Sequence, residues 1–148
     1  QLESKNEPDH AIEQYERSLT LQPTYGDSWL GLAGLHRKAR RFDEARAAYA
    51  NAIQHSPDPT RALIALGLMQ VTDLADPAAA AATFAAAADA CERSGNPSNT
   101  GTPYLLLGAA LGEAGDLPRC IAALRRAATF ADTRAQALEH LRDLGAPP

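Results

Sequence analysis

The sequence predicts an all-α chain of antiparallel helix pairs stacked at a fixed interval. Three observations carry that prediction. The first is registered repetition. DHAIEQYERSLTLQP, residues 9–23, and DEARAAYANAIQHSP, residues 43–57, share a spacing 34 residues apart. Ala11, Tyr15, Ser18, Leu19 and Pro23 in the first stretch correspond to Ala45, Tyr49, Ala52, Ile53 and Pro57 in the second. The second observation is composition. Apolar residues make up 45% of the 148-residue chain but aromatics only 5%, a balance that suits close-packed helices better than a sheet. The third is pattern: no stretch alternates polar and apolar residues as a half-buried strand would.

Taken in order, the helices are set by apolar spacing and bounded by breakers. Ile12, Tyr15 and Leu19 share a face, and Pro23 stops that helix. The next begins after Gly26, capped by Asp27 or Ser28, with Trp29, Leu32, Ala33 and His36 on one side. RRF turns the chain into a helix from Asp43 to His55, and SPDPT breaks it again. Thr60 to about Asp73 reads as a helix through Leu63, Leu66, Gly67 and Met69. DPAAAAATFAAAADACERSG is read as a helix rather than an alanine linker. Pro77 suits a first turn, alanine is the best helix former, and Gly95 is a stop. SGNPSNTGTP is the longest interruption. The segments YLLLGAALGEAG and LPRCIAALRRAATFA form another pair. A last helix from about Thr133 to Leu144 has Ala137, Leu138, Leu141 and Leu144 on one side.

Charge and rare residues narrow the function. A net charge of −4 and a pI near 5.5 supply no overall field toward nucleic acid. No apolar run reaches the roughly 18 residues a membrane span needs. Cys91 and Cys120 lack zinc-site spacing, and His10, His36, His55 and His140 form no ligand pair. There is no phosphate loop, nucleophile elbow or carboxylate pair, so no catalytic residue, metal or cofactor is expected. The chain begins at Gln1 without a leader pattern, which suggests a fragment or processed product. Compartment stays open between cytoplasmic, secreted and periplasmic settings.

Trp29, Leu32, Ala33, His36, Ala45, Tyr49 and Pro57 follow W-x2-L-G-x2-Y, then A-x3-F, then P. This resembles the tetratricopeptide repeat, a 34-residue helix–turn–helix unit. Ala33 replaces the usual glycine and His36 the usual tyrosine. Leu63, Leu66 and Gly67 match one period later, and Ala80, Phe84 and Ala87 follow one residue late. Tyr104, Leu107, Gly108, Leu111, Cys120, Leu124 and Ala127 carry a fourth unit after an inserted loop. The resemblance covers about 130 of the 148 residues.

What it implies is a right-handed superhelical solenoid of about three and a half repeats plus a capping helix. The divisions are a partial repeat 1–23, mainly its second helix, then repeats 24–57 and 58–93. An inserted loop 94–100, a fourth repeat 101–131, and a capping helix and tail 132–148 complete the chain. The first repeat lacks most of its first helix, so its edge needs more chain, a partner or self-association to cover it. Trp29, Tyr49 and Phe84 should be buried, Gly67 and Gly108 should mark the closest helix approaches, and the two cysteines should stay apart as thiols.

In such arrays the first helix of each pair lines a concave groove. By phase, the partner-binding candidates are Asp27, Leu30, Arg37 and Lys38 in the second repeat, and Arg61, Ile64, Leu68 and Val71 in the third. The fourth adds Leu105, with Ala109, Gly112 and Glu113 on the same phase. Family members that grip a carboxyl terminus use lysine, asparagine and arginine there. Here Leu30, Ile64 and Leu105 replace them, and only Arg61 matches. The groove is therefore expected to be largely apolar, unless neighbouring helices cover those side chains. HRKARR, residues 36–41, is either a solvated helix end or an electrostatic contact. The expected function is a non-catalytic protein–protein interaction or scaffold module that binds a peptide or helix. The alternative is the recruiting or oligomerising region of a larger enzyme, such as a glycosyltransferase or hydroxylase.

Overall fold

Pro77 opens a helix as the spacing predicts, whereas the helix expected to start after Gly26 already includes it, so Asp27 and Ser28 lie inside its first turn instead of capping it. The computed structural model describes residues 10–14, 16–17, 26–94 and 100–148, apart from the side chain of Asp27. Eight helices and no strand occur among the described residues. Residues 10–14 and 16–17 are helical and mark α1. The others are α2 (Gly26–Lys38), α3 (Phe42–His55), α4 (Thr60–Thr72), α5 (Pro77–Ser94), α6 (Thr102–Glu113), α7 (Leu117–Ala127) and α8 (Arg134–Asp143). Tyr15, Ser18, Leu19 and Pro23, and the inserted loop through Gly95, lie outside the described residues.

Local chemistry accounts for the starts. Asp76 accepts a bond from the Ala79 backbone at 3.1 Å, and Pro77 opens α5 without wasting an amide. Asp116 accepts from the Arg119 backbone at 3.2 Å, with Pro118 in the first turn of α7. Asp58 takes both the amide and the hydroxyl of Thr60, at 3.1 and 2.6 Å.

The turns inside each helix pair share one device. Arg40, Ala75 and Gly115 sit in the left-handed region with φ of 63°, 50° and 87°. After α2, the Arg41 amide reaches back to the His36 carbonyl at 2.8 Å. After α6, the Asp116 amide does the same to Leu111 at 2.9 Å. The third repeat differs because it carries one extra residue. Leu74 closes onto Met69 at 3.1 Å, and Asp76 then closes onto Gln70 at 2.8 Å, one position wider. The displaced register of Ala80 and Phe84 is the trace of that wider turn.

The chain divides into two compact units, residues 1–62 and 63–148, with the boundary in the first turn of α4. In the first unit α2 packs on α3, and Leu32, Ala33, Ala45, Ala48, Tyr49 and Ala52 are buried. Tyr49 is enclosed as expected; Trp29 is only half-buried. The indole is too large to be readily sealed on all sides. In the second unit α5 packs on α6, α6 on α7 and α7 on α8. Their core joins Ala80, Ala81, Phe84, Ala110, Leu111, Cys120, Ala123, Leu124 and Leu141.

Small residues set the spacing. A methyl group on Gly67 would lie 2.5 Å from Cε1 of Phe84, and one on Gly108 would lie 2.9 Å from Cγ of Leu124. Both glycines therefore stand at the tight approaches the repeat pattern predicts.

Candidate partner-binding site

The sequence-derived site residues fall in both units, and each group stands by itself. In the first unit, Leu30 and Arg37 on α2 are half-buried, while Lys38 and, at the start of α4, Arg61 are exposed. The side chain of Asp27 lies outside the described residues. Next to them, His36 is buried and its Nδ1 has no hydrogen-bond partner. It belongs to the interior.

In the second unit Ile64, Leu68 and Val71 on α4 and Leu105 on α6 are all half-buried. Leu68, Val71 and Leu105 rest against the core of their own unit. Part of each side chain is thus covered by the repeat itself, and part remains in solvent.

Further along α6, the positions in phase with Leu105 open into a cavity. Ala109, Gly112 and Glu113 line it together with Gly108, Leu117, Cys120 and Leu124, and α8 closes the far side with His140, Asp143 and Leu144. Its volume is about 380 Å³. First helices α6 and α8 make the walls and second helix α7 makes the floor. The wall is wide because α6 presents two glycines and an alanine where larger side chains would fill the space.

The apolar part of this site is under-covered. Leu117 is 49% exposed and Leu144 45%, and both also line a second depression on α7 with Pro118, Ile121, Arg125, Gly145, Ala146 and Pro147. There Arg125 donates from Nε and Nη2 to the Pro147 carbonyl at 3.2 and 3.1 Å, pinning the tail. The sequence pattern predicts α8 as a capping helix whose apolar side carries Ala137, Leu138, Leu141 and Leu144. In fact Ala137 and Leu141 are buried while Leu138 and Leu144 on the same face are exposed. The cap's apolar stripe is wider than the surface it covers, and that width was the signal available in the sequence.

The floor is chemically quiet. Burial pushes the Cys120 thiol upward, and the Asp116 charge adds to the effect against an opposing backbone hydrogen bond at Gly112. A thiol held protonated is a poor nucleophile. Cys120 is 3% exposed and Cys91 half-buried, and both are free.

A polar clamp at the other end of the unit holds α5, α6 and α7 together. Tyr104 donates its hydroxyl to Glu92, which also accepts from Arg126 at 2.8 Å. The Arg126 guanidinium lies 5.4 Å from the Tyr104 ring and 5.3 Å from the Phe130 ring, and those rings stack at 5.8 Å. These bonds hold the Glu92 carboxyl below its ordinary value, the Tyr104 bond first and Arg126 second. Beside the clamp, Asp132 accepts from the Thr100 hydroxyl and from the Gly101 amide at 3.1 Å, capping α6 from 31 residues away. The same two bonds lower the Asp132 carboxyl.

Helix pairs, their left-handed turns and the 34-residue register coincide with a family match. Residues 3–69 match the tetratricopeptide repeat model. That segment belongs to the tetratricopeptide repeat family. Protein O-mannosyl-transferase TMTC1 of Mus musculus is 34% identical over 58 residues, which is 39% of this chain and 6% of the mouse protein. The crystal structure of PilW, a widely conserved type IV pilus biogenesis factor, aligns with a TM-score of 0.64 at 20% identity. That alignment covers 82% of this chain and 54% of PilW, and it shows a shared helical-repeat fold. Tetratricopeptide arrays serve as protein-interaction modules, and no helix among the described residues is long and apolar enough to cross a membrane.

Proposed function

We propose that this chain is a non-catalytic interaction module that receives a peptide or helix of a partner protein on the first-helix face of its second unit. The observation that carries the proposal is the cavity between α6 and α8. Ala109, Gly112 and Glu113, which share the groove phase of Leu105, are among its lining residues, although Leu105 itself is not. Leu105 and Leu68, which do not line the cavity, are half-buried aliphatic side chains of the same unit, and exposed apolar surface beside a concavity is the usual form of a peptide site. Arg37, Lys38 and Arg61 contribute positive charge in the first unit.

The test is affinity purification from the native source, followed by quantitative binding with the partner so obtained. Leu105→Asp and Leu68→Asp should speed dissociation while Lys38→Ala chiefly slows association. If the aspartates leave affinity intact and changes at Arg93 or Arg134 abolish it, another face is used.

A second reading is favoured by the mannosyl-transferase match. It makes the array a recruiting or oligomerising region of a glycosyltransferase, with catalysis in another domain. Sequencing the transcript across Gln1 separates the two, since only the second requires a catalytic domain in the same frame.

A further inference from the structure

We infer that the α6–α8 cavity selects a partner segment in which an apolar anchor is flanked by lysine or arginine. The inference rests on the interaction-module reading above and adds the chemistry of the occupant. The floor and walls offer Gly108, Ala109, Gly112, Leu117, Leu124 and Leu144, an apolar surface of a size that takes a leucine, methionine or phenylalanine side chain. Glu113 and Asp143 stand on opposite walls, one at the end of α6 and one at the end of α8.

Neither carboxylate has an ion-pair or hydrogen-bond partner for its side chain among the described residues. Arg119 is bound to Asp116 at 3.5 Å and Arg125 to the Pro147 carbonyl, while Arg142, next to Asp143 in the last turn of α8, makes no ion pair with either carboxylate. His140 is the remaining titratable wall residue besides Cys120, whose thiol is held protonated.

Carboxylates at a helix C-terminus meet the negative end of the dipole, which disfavours them. Glu113 and Asp143 both occupy that last turn. An incoming cation relieves this repulsion, whereas an acidic segment worsens it. Apolar walls beneath unpaired carboxylates thus complement an anchor with a basic neighbour. A second copy of this chain fits less well, since it would bring the same two carboxylates to the contact.

The experiment is selection of a random-sequence peptide display library on the whole chain. Binders are then resynthesised and measured by fluorescence anisotropy against wild type and variants. Peptides with a large apolar residue beside lysine or arginine should dominate. Replacing that base by glutamate should weaken binding by about tenfold, and the double change Glu113→Gln, Asp143→Asn should remove most of the preference. Ala109→Phe, which fills the cavity, should abolish binding. Leu117→Ser, at an exposed wall position, supplies the same test should Ala109→Phe lose helical circular dichroism.

Binders lost on Ala109→Phe but showing no basic preference would overturn the inference and leave the module reading standing. Binders indifferent to both cavity variants, or none above background, would overturn both. A dimer in sedimentation that Leu117→Ser dissolves would make a second copy the occupant and overturn the inference.

Discussion

Two helical glycines allow the spacing of the repeats to be tested by one methyl group each. Gly34 on α2 is exposed, with nothing within 4 Å of where its Cβ would be. Gly67 on α4 is buried, and its Cβ would lie 2.5 Å from Cε1 and 2.8 Å from Cδ1 of Phe84, a ring 1% exposed. Replacing either by alanine gains the same helix propensity, about 1 kcal/mol. Only Gly67→Ala must also push aside an enclosed ring, and overpacking of this kind costs about 1–3 kcal/mol. Gly34→Ala should therefore stabilise by about 1 kcal/mol, while Gly67→Ala should be neutral to destabilising by about 2 kcal/mol. In a chain of this size each kilocalorie moves Tm by about 3 °C. Urea and thermal unfolding followed by circular dichroism read the difference. Amide exchange in α4 and α5 localises it should the units melt separately. A Phe84→Leu background should shrink the penalty of Gly67→Ala, giving a coupling of about 0.5–3 kcal/mol. Equal stabilisation by the two alanines would show that α4 and α5 do not meet at Gly67, and the repeat register would fall with that contact.

Three further outcomes follow from local geometry. Ala75→Gly relieves a left-handed alanine in an exposed turn and should stabilise by about 0.5–1 kcal/mol in urea unfolding; Arg40→Gly should gain less, because it gives up the guanidinium stacked 5.0 Å over Phe42. With a thiol reagent under native conditions, Cys91 should react well before Cys120, whose sulfur is enclosed and held protonated; equal rates would place Cys120 at the surface. Asp132 has its folded pKa lowered, so the bonds to Thr100 and Gly101 contribute fully above the ordinary aspartate range near pH 4 and are lost as pH falls through the lowered value. Asp132→Asn should flatten that part of the acid-stability curve, and an unchanged curve would mean the cap is not formed.

Most of the fold was legible because a repeat states each rule more than once. Ala45, Tyr49, Gly67 and Phe84 could be placed from spacing alone, since tight helix contacts demand small residues opposite large ones at every period. The extra residue before Asp76 was also visible, as a late register, though its solution as a wider closing bond needed coordinates. The candidate site was less legible. Glu113 and Ala109 were on the groove phase, but His140, Asp143 and Leu144 come from a helix read only as a cap. Exposure on α8 depends on what α7 covers, and that is decided by helix crossing rather than by the apolar stripe itself. The Asp132 cap was equally invisible, because a carboxylate capping a helix 31 residues away leaves no local motif.

Gly112 offers a way to separate binding from stability at the proposed site. Gly67 and Gly108 are glycines because a methyl group would collide with Phe84 or Leu124. Gly112 is different: its Cβ would meet only the Cys120 sulfur, at 3.4 Å, an ordinary contact. Packing therefore does not demand glycine there, yet the helix forgoes about 1 kcal/mol of propensity by having one. What the missing side chain does provide is room, since Gly112 lines the cavity directly. Gly112→Ala should accordingly hold or raise the unfolding midpoint, by up to about 1 kcal/mol, while narrowing the cavity and weakening an apolar anchor. Gly112→Val would add more bulk with a smaller propensity gain than alanine and should weaken binding further. Urea unfolding and anisotropy with one display-selected peptide measure the two quantities on the same samples. Stability and affinity falling together would mean that Gly112 is a packing glycine like its neighbours. Affinity untouched by either change would mean that the anchor does not enter beside α6.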